Sequence, residues 1–319
     1  MKLIIQIPCY NEEATLAITL SALPRKIPGV DVVEWLIIDD GSTDKTSSVA
    51  KACGVDHVVH LPRNQGLARG FMAGLEACIK AGADIIVNTD ADNQYCAEDI
   101  PKLIEPILSG QAEIVVGARP IAETKHFSPM KKLLQKLGSA VVRFASKTSI
   151  PDAPSGFRAI SRNAAMQLNV FSEYTYTLET IIQAGQKNMA ITSVPIRTNE
   201  DLRPSRLVKS IPSYVQRSIL TIFRIFITYR PFQFFSAFST LFFGLGFLLG
   251  VRFLYFFFTG NGSGHVQSLI LAALLMALGG MLIMLALLAD LISVNRKLLE
   301  KIDWRVQKLE ESIKERGHG

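Results

Sequence analysis

At 319 residues, 49% of them hydrophobic and 19% charged, the chain can hold one ordinary domain plus appendages. Its four cysteines, Cys9, Cys53, Cys78 and Cys96, lack C-x-x-C spacing. That argues against a zinc site or a disulfide framework and for reduced thiols in a cytoplasmic compartment. The net charge of +6 would suit a nucleic-acid partner only if spread along a stripe, and it is not: none is expected.

Taken in order, the first apolar run, Leu3–Ile7, is too short for a secretory leader and reads as a buried strand. Further strands are expected at Trp35–Ile38, Val58–Val59, Ile85–Val87 and Ile114–Val116. Helices are expected between them, at Glu12–Leu23, Asp44–Ala52, Leu67–Ala81 and Glu98–Leu108. Such alternation predicts an α/β fold with a mostly parallel sheet covered on both faces. Ligands then bind at the carboxyl ends of the strands. After Gly117 the expected elements are a helix at Met130–Ser146, a strand at Gly156–Ile160, a helix at Thr177–Ala184 and a strand at Ala190–Ile196.

Leu207–Tyr229 mixes apolar residues with arginines and reads as a helix in a membrane interface; a surface helix of the soluble domain is the plainer alternative. Two apolar runs follow, Pro231–Val251 and the twenty-four uncharged residues Val266–Ala289. Each is long enough to span a bilayer as a helix. Residues 1–201 hold 20 Lys/Arg against 22 Asp/Glu, residues 202–230 hold six basic residues and no acid, and residues 291–319 hold seven basic and five acidic. The basic excess therefore lies beside the hairpin, where it attracts anionic headgroups. The short loop Thr259–His265 has no Lys or Arg. The positive-inside rule then puts the catalytic domain and both termini in the cytoplasm. The expected organisation is a catalytic domain over 1–205, an interfacial region over 206–230, a two-span hairpin over 231–290 and a helical tail over 291–319. In the tail, Ile302, Val306, Leu309 and Ile313 recur at spacings of 4, 3 and 4, which fits either an oligomer contact or a solvated helix folding back on the domain.

The chemistry sits at three strand ends. Strand one runs into Pro8-Cys9-Tyr10-Asn11-Glu12-Glu13, strand two into Asp39-Asp40-Gly41-Ser42-Thr43-Asp44, and strand four into Asn88-Thr89-Asp90-Ala91-Asp92-Asn93-Gln94. Alone, the first two equally describe a turn and a helix cap. Two carboxylates one residue apart can face a hard divalent cation such as Mg²⁺ or Mn²⁺, which favours oxygen ligands and keeps substrate phosphates among them.

Together and in this order, the three resemble family 2 glycosyltransferases, whose fold is the GT-A nucleotide-diphospho-sugar transferase fold. Gly117-Ala118-Arg119, the run Asp152–Arg158, Glu179 and Ser205-Arg206 narrow the likeness to the polyprenyl-phosphate sugar transferases, the dolichyl-phosphate mannose synthases among them. The resemblance implies that Pro8, Tyr10, Glu12, Asp39 and Asp40, with Asp90 and Ala91, bind the nucleotide. It implies a metal held by Asp90, Asp92 and Gln94. It assigns phosphate oxygens of donor or acceptor to Arg119, Lys131, Lys132, Arg206 and Arg69, although Arg69 equally suits an exposed helix position. Asp92, Arg119 and Asp152 would carry catalysis, Asp152 as a base or as an orienting charge. The expected donor is a UDP- or GDP-linked sugar, the acceptor a polyprenyl phosphate, and a homo-oligomer is possible. A diacylglycerol-type acceptor is the second enzymatic reading, since a lipid hydroxyl would need a true base. A non-catalytic sugar-nucleotide scaffold is the third. The Q-x-x-R-W signature of processive synthases is absent, which favours transfer of a single sugar. Arg203-Pro204-Ser205-Arg206 replaces the glycine-rich form common in mannose synthases.

Overall fold

The computed structural model describes residues 1–120, 139–140, 142–144, 146–170, 176–200, 220, 223–224, 227–260 and 262–317. It divides into two compact units, residues 1–219 with 306–319, and residues 220–305.

The first unit is built on seven strands: β1 Lys2–Cys9, β2 Val32–Asp39, β3 His57–His60, β4 Ile85–Asn88, β5 Ile114–Ala118, β6 Arg158–Ser161 and β7 Ile191–Pro195. They form one sheet in the order β3-β2-β1-β4-β6-β5-β7. All neighbours are parallel except β6, which runs antiparallel between β4 and β5. Leu3, Ile5 and Ile7 enter the core on one face of β1, and Ile4 enters the core on the other. Burial on both faces is why this strand reads as a continuous apolar run.

The helices are α1 Leu16–Ala22, α2 Thr46–Ala52, α3 Leu67–Lys80, α4 Ile100–Leu108, α5 Arg162–Gln167 and α6 Thr177–Gln186. α4 seals one face through Ile100, Leu103 and Ile104, while α3 seals the other through Ala68, Phe71 and Leu75. Gly74 lets α3 lie close to the sheet: a Cβ there would stand 2.5 Å from Gln6 Oε1 and 2.7 Å from Ile38 Cδ1.

Most boundaries shift by one to four residues from the sequence expectation, and two shifts and one unexpected helix have a local cause. α1 starts at Leu16 rather than Glu12, because Asn11 takes a left-handed φ of 55° and Glu12 turns the chain back on Thr15. β6 starts two residues late, because the Gly156 amide leaves the ladder to bond Tyr95 Oη. α5 is not expected from the sequence; it is too short to show a period, and its Ser161 cap accepts from the Ala164 amide at 3.2 Å. Most of the helix expected over 130–146 lies outside the described residues, as does most of the expected interfacial helix over 207–229.

The second unit holds α7 Pro231–Phe258, a short 3₁₀ turn at Gly262–His265 and the part of α8, Val266–Gly317, that runs to Arg305. Both helices are long and apolar enough to cross a membrane. They meet through small residues. A Cβ on Gly246 would stand 2.8 Å from the Ala272 carbonyl oxygen, one on Gly279 would stand 2.9 Å from the Phe243 amide nitrogen, and Ser239 Oγ donates to the Gly279 carbonyl at 2.7 Å. The second apolar run and the charged tail, two segments by composition, are one helix of 52 residues. No Gly or Pro interrupts it between Gly280 and Gly317.

Candidate active site

The loops after β1 and β2 are knitted to each other. Asn11 Oδ1 accepts from the Thr43 amide at 2.8 Å, Ser42 Oγ accepts from the Asn11 amide at 3.0 Å, and the Glu12 amide donates to Thr46 Oγ1 at 2.8 Å. Gly41, at φ 68°, passes so close to the Arg63 backbone that a Cβ would stand 2.5 Å from its carbonyl carbon. Glu12 is buried, whereas Tyr10 is exposed beside it.

The paired acids of β2 are occupied within the chain. Asp39 accepts from the Ser42 amide at 2.9 Å, from Ser47 Oγ at 2.6 Å, and pairs with His60 Nδ1 at 3.2 Å. Burial by itself would raise its carboxyl pKa, but these partners hold it below the ordinary carboxylate value. Asp40 accepts from the amides of Gln65 at 2.7 Å and Gly66 at 2.9 Å, which fixes the turn into α3.

The end of β4 rests on a buried polar network. Asn88 accepts from Gln6 Nε2 at 2.9 Å and donates to the Gly156 carbonyl at 2.9 Å and to Tyr176 Oη at 2.8 Å. Tyr176 stacks on Phe71 and Tyr95 stacks on Phe157. A Cβ on Gly156 would stand 3.1 and 3.2 Å from the two Asp90 carboxylate oxygens and 3.0 Å from Tyr176 Oη. A methyl group at residue 156 would therefore press on the Asp90 carboxylate. Ala91 is held by Thr19 Oγ1, which donates to its carbonyl at 2.9 Å. Asp92 Oδ1 accepts from the Gln94 amide at 3.2 Å across Asn93, which has a φ of 57°. Burial and then the Asp90 charge push the Tyr95 phenol up to about 12, so it stays protonated at neutral pH.

Arg119 and Asp152, expected from sequence in separate roles, form one unit. Arg119 Nε donates to Asp152 Oδ2 at 2.7 Å, Nη2 donates to Oδ1 at 3.0 Å, and the Arg119 amide adds a third bond at 3.2 Å. Asp152 is 1% exposed. Burial opposes the guanidinium charge, but Tyr95 and Asp152 raise its pKa above the ordinary value.

Sequence reasoning gives no role to Gln6, Asn88, Tyr95, Tyr176 or Arg158. Arg158 is fully buried. It donates to the carbonyls of Ser155 at 2.9 Å and Ala153 at 2.8 Å and to Thr180 Oγ1, pinning the turn that carries Asp152. Burial brings its pKa down to about 10, which still leaves it charged at neutral pH. Ser155 Oγ, buried in the same turn, finds no hydrogen-bond partner among the described residues. The available signal was the polar residue in an apolar strand: Gln6 in Leu3–Ile7 and Asn88 after Ile85–Val87. Arg69 is exposed on the first turn of α3, with Nη1 3.4 Å from Gln65 Oε1. Lys131, Lys132 and Arg206 lie outside the described residues.

Acidic loops thus lie at the carboxyl ends of β1, β2 and β4, with Arg119 just after the end of β5. The model of the family described as glycosyl transferase family 2 matches residues 4–168. This chain belongs to glycosyl transferase family 2. It is 31% identical to the UDP-N-acetylglucosamine–dolichyl-phosphate N-acetylglucosaminyltransferase of Methanococcus voltae, over 60% of this chain and 83% of that one. It is 28% identical to the undecaprenyl-phosphate mannosyltransferase of Micrococcus luteus, over 61% of this chain and 83% of the relative. Among solved structures, glucosyl-3-phosphoglycerate synthase of Mycobacterium tuberculosis, in complex with Mn²⁺, UDP and glucosyl-3-phosphoglycerate, matches with a TM-score of 0.55 at 22% identity. That match covers 69% of this chain and 79% of the synthase, and it shows a shared fold. The protein is a glycosyltransferase of the GT-A fold, with two candidate membrane spans following the catalytic sheet.

Proposed function

We propose that this transferase moves one sugar from a nucleotide-diphosphate donor, UDP- or GDP-linked, onto a polyprenyl phosphate held in a membrane, with inversion at the anomeric carbon. Relatives that bear the names of dolichyl- and undecaprenyl-phosphate transferases support the acceptor class. The observation that carries the choice of a phosphate over a lipid hydroxyl is the Arg119–Asp152 pair. A carboxylate sealed from solvent and clamped through both its oxygens by one guanidinium edge is poorly placed to take a proton from an alcohol. A phosphate monoester, with a second pKa near ~6, is mostly dianionic at neutral pH and needs no base. Asp152 then acts as a positioning residue that aims Arg119 at phosphate oxygens as charge develops on them.

Pro8, Tyr10 and Glu12 would line the nucleotide site, with Asp39 and Asp40 setting the shape of its floor. Asp90, Asp92 and Gln94 would hold a divalent cation, Mg²⁺ or Mn²⁺. Their carboxylate and amide oxygens suit a hard ion. Among the described residues no three His, Cys, Asp or Glu side chains converge, so the set is completed only by other oxygens, which the donor diphosphate would supply. When bound, such an ion neutralises charge building on the leaving nucleotide. Lys131, Lys132 and Arg206 would meet the acceptor phosphate. The α7–α8 hairpin would hold the sheet unit on the cytoplasmic side of the bilayer, its basic flanks against the headgroups.

Membranes carrying the chain, given polyprenyl phosphate and a panel of radiolabelled nucleotide sugars, should move label from one donor into the organic phase. Asp92→Ala should lower that transfer by about 10³-fold. Label that stays aqueous with every donor sinks the acceptor assignment. A wild-type rate in Asp92→Ala sinks the cation assignment.

A further inference from the structure

Beyond the apolar run that ends at Ala289, α8 continues for 28 residues, Asp290–Gly317, or about 42 Å at 1.5 Å per residue. This stretch is continuous helix and holds neither Gly nor Pro before Gly317 to kink it. Yet it carries a row of apolar side chains left open to solvent, with exposures between 47% at Val306 and 69% at Ile292. The row follows a strict heptad: Ile292, Leu299, Val306 and Ile313 at one seam position, Asn295, Ile302 and Leu309 at the other. Leu291, Val294 and Leu298 are also exposed beside its first turns, but from Leu299 onward every exposed apolar residue lies on the seam, the narrow stripe of a coiled coil. Nor is this the side α8 uses within the hairpin unit, which ends at Arg305. There it buries Ser293 and Glu300 and lays Arg296 over the Tyr229 ring at 4.5 Å.

We propose that this seam pairs with the same seam of a second copy, forming a parallel two-stranded coiled coil beyond the membrane. The pairing rests on the membrane-hairpin reading for its direction. Two identical chains inserted with one topology hold their α8 helices parallel and at equal depth, so Ile292 meets Ile292 and each heptad is in register. Three of the four residues at the first seam position are β-branched, which, with leucine at the other as at Leu309, favours two strands. The sequence also sets Arg305 and Glu310 five residues apart at the two flanking positions that oppose each other across a parallel pair. This gives opposite charges on both edges.

The test is oxidative cross-linking of full-length chain in native membranes, with single cysteines at Ile302 or at Lys301 and the unaltered chain as background. Ile302→Cys should give a disulfide-linked pair and Lys301→Cys none above background. In mild detergent the unaltered chain should have twice the mass of one polypeptide, falling to one in the double variant Ile302→Glu, Leu309→Glu. Both changes are at exposed positions, so the fold should survive them. Equal linking at 301 and 302, or quenching by lipid-borne bromine of a fluorophore attached to Ile302→Cys, overturns the proposal. So does a mass of one chain, or of more than two. Carbonate washing of the same membranes separates the two readings: release of the chain defeats the hairpin, whereas retention without seam cross-links defeats only the pairing.

Discussion

In the sheet unit Ile4, Ile5 and Phe71 are sealed from solvent, while in the hairpin Phe247, Leu248 and Leu274 face outward and the residues buried between helices are Gly246, Ala272 and Ser239. Large apolar side chains thus change sides between the two units. Burial of apolar surface drives the first, since water penalises each exposed methylene by about 0.8 kcal/mol. Within a bilayer, lipid is as apolar as leucine, so that force would vanish between the two candidate spans, and close backbone approach through small residues would take its place. Polar groups invert as well. The sheet unit buries a connected network of Gln6, Asn88, Tyr95, Tyr176 and Arg158, whereas α7 and α8 are joined by a bond from Ser239 to the Gly279 carbonyl.

The sharpest way to break this comparison is to put a charge at an exposed apolar residue in each setting. Leu248→Lys, at a position 65% exposed on α7, should cost about 3 kcal/mol of insertion free energy, read as loss of carbonate-resistant membrane association. Ile18→Lys, at an exposed position of α1, should change stability by no more than about 0.5 kcal/mol. Equal effects at both sites would mean that the hairpin is not in lipid.

A smaller effect is expected inside the sheet unit, where packing tolerances are tight. Gly156→Ala would press a methyl against Asp90 and Tyr176 and should lower kcat/KM by about 10- to 100-fold, with the chain still folded by circular dichroism. A wild-type rate would show that the place of Asp90 does not depend on this contact.

The smallest effect is on the pH dependence of stability. Because Asp39 has its pKa depressed in the folded chain, its contribution is fully present above the unfolded value of about 3.9. It is lost as the pH falls through the lower folded value. Trp35, on the same strand, reports the transition by fluorescence. Asp39→Asn should flatten the fall in melting temperature below about pH 4. An unchanged slope would remove Asp39 from the account.

Strand-end acids can be read in the sequence because each follows an apolar run, and position in an α/β alternation assigns a residue to the carboxyl edge of the sheet. The two spans are legible for a similar reason, since a globular core rarely uses helices so long and so free of charge on every face. Asn88 escapes notice because a polar residue at a strand end looks like the start of a loop, whereas its three partners come from β1, the turn before β6 and the residue that opens α6. The continuous α8 reads as two segments because composition changes at Asp290 while the backbone does not.

By itself the sequence determined the alternating sheet, the acidic loops at its carboxyl edge and the apolar hairpin, all of which depend on neighbours close along the chain. Only the tertiary structure decided that Arg158 braces the turn carrying Asp152, that Arg119 and Asp152 are one clamp, and that Asp90 leans on Gly156. The last two contacts join residues 33 and 66 positions apart. Local spacing carries no signal for them, because it is the packing of the sheet that brings such residues within bonding distance.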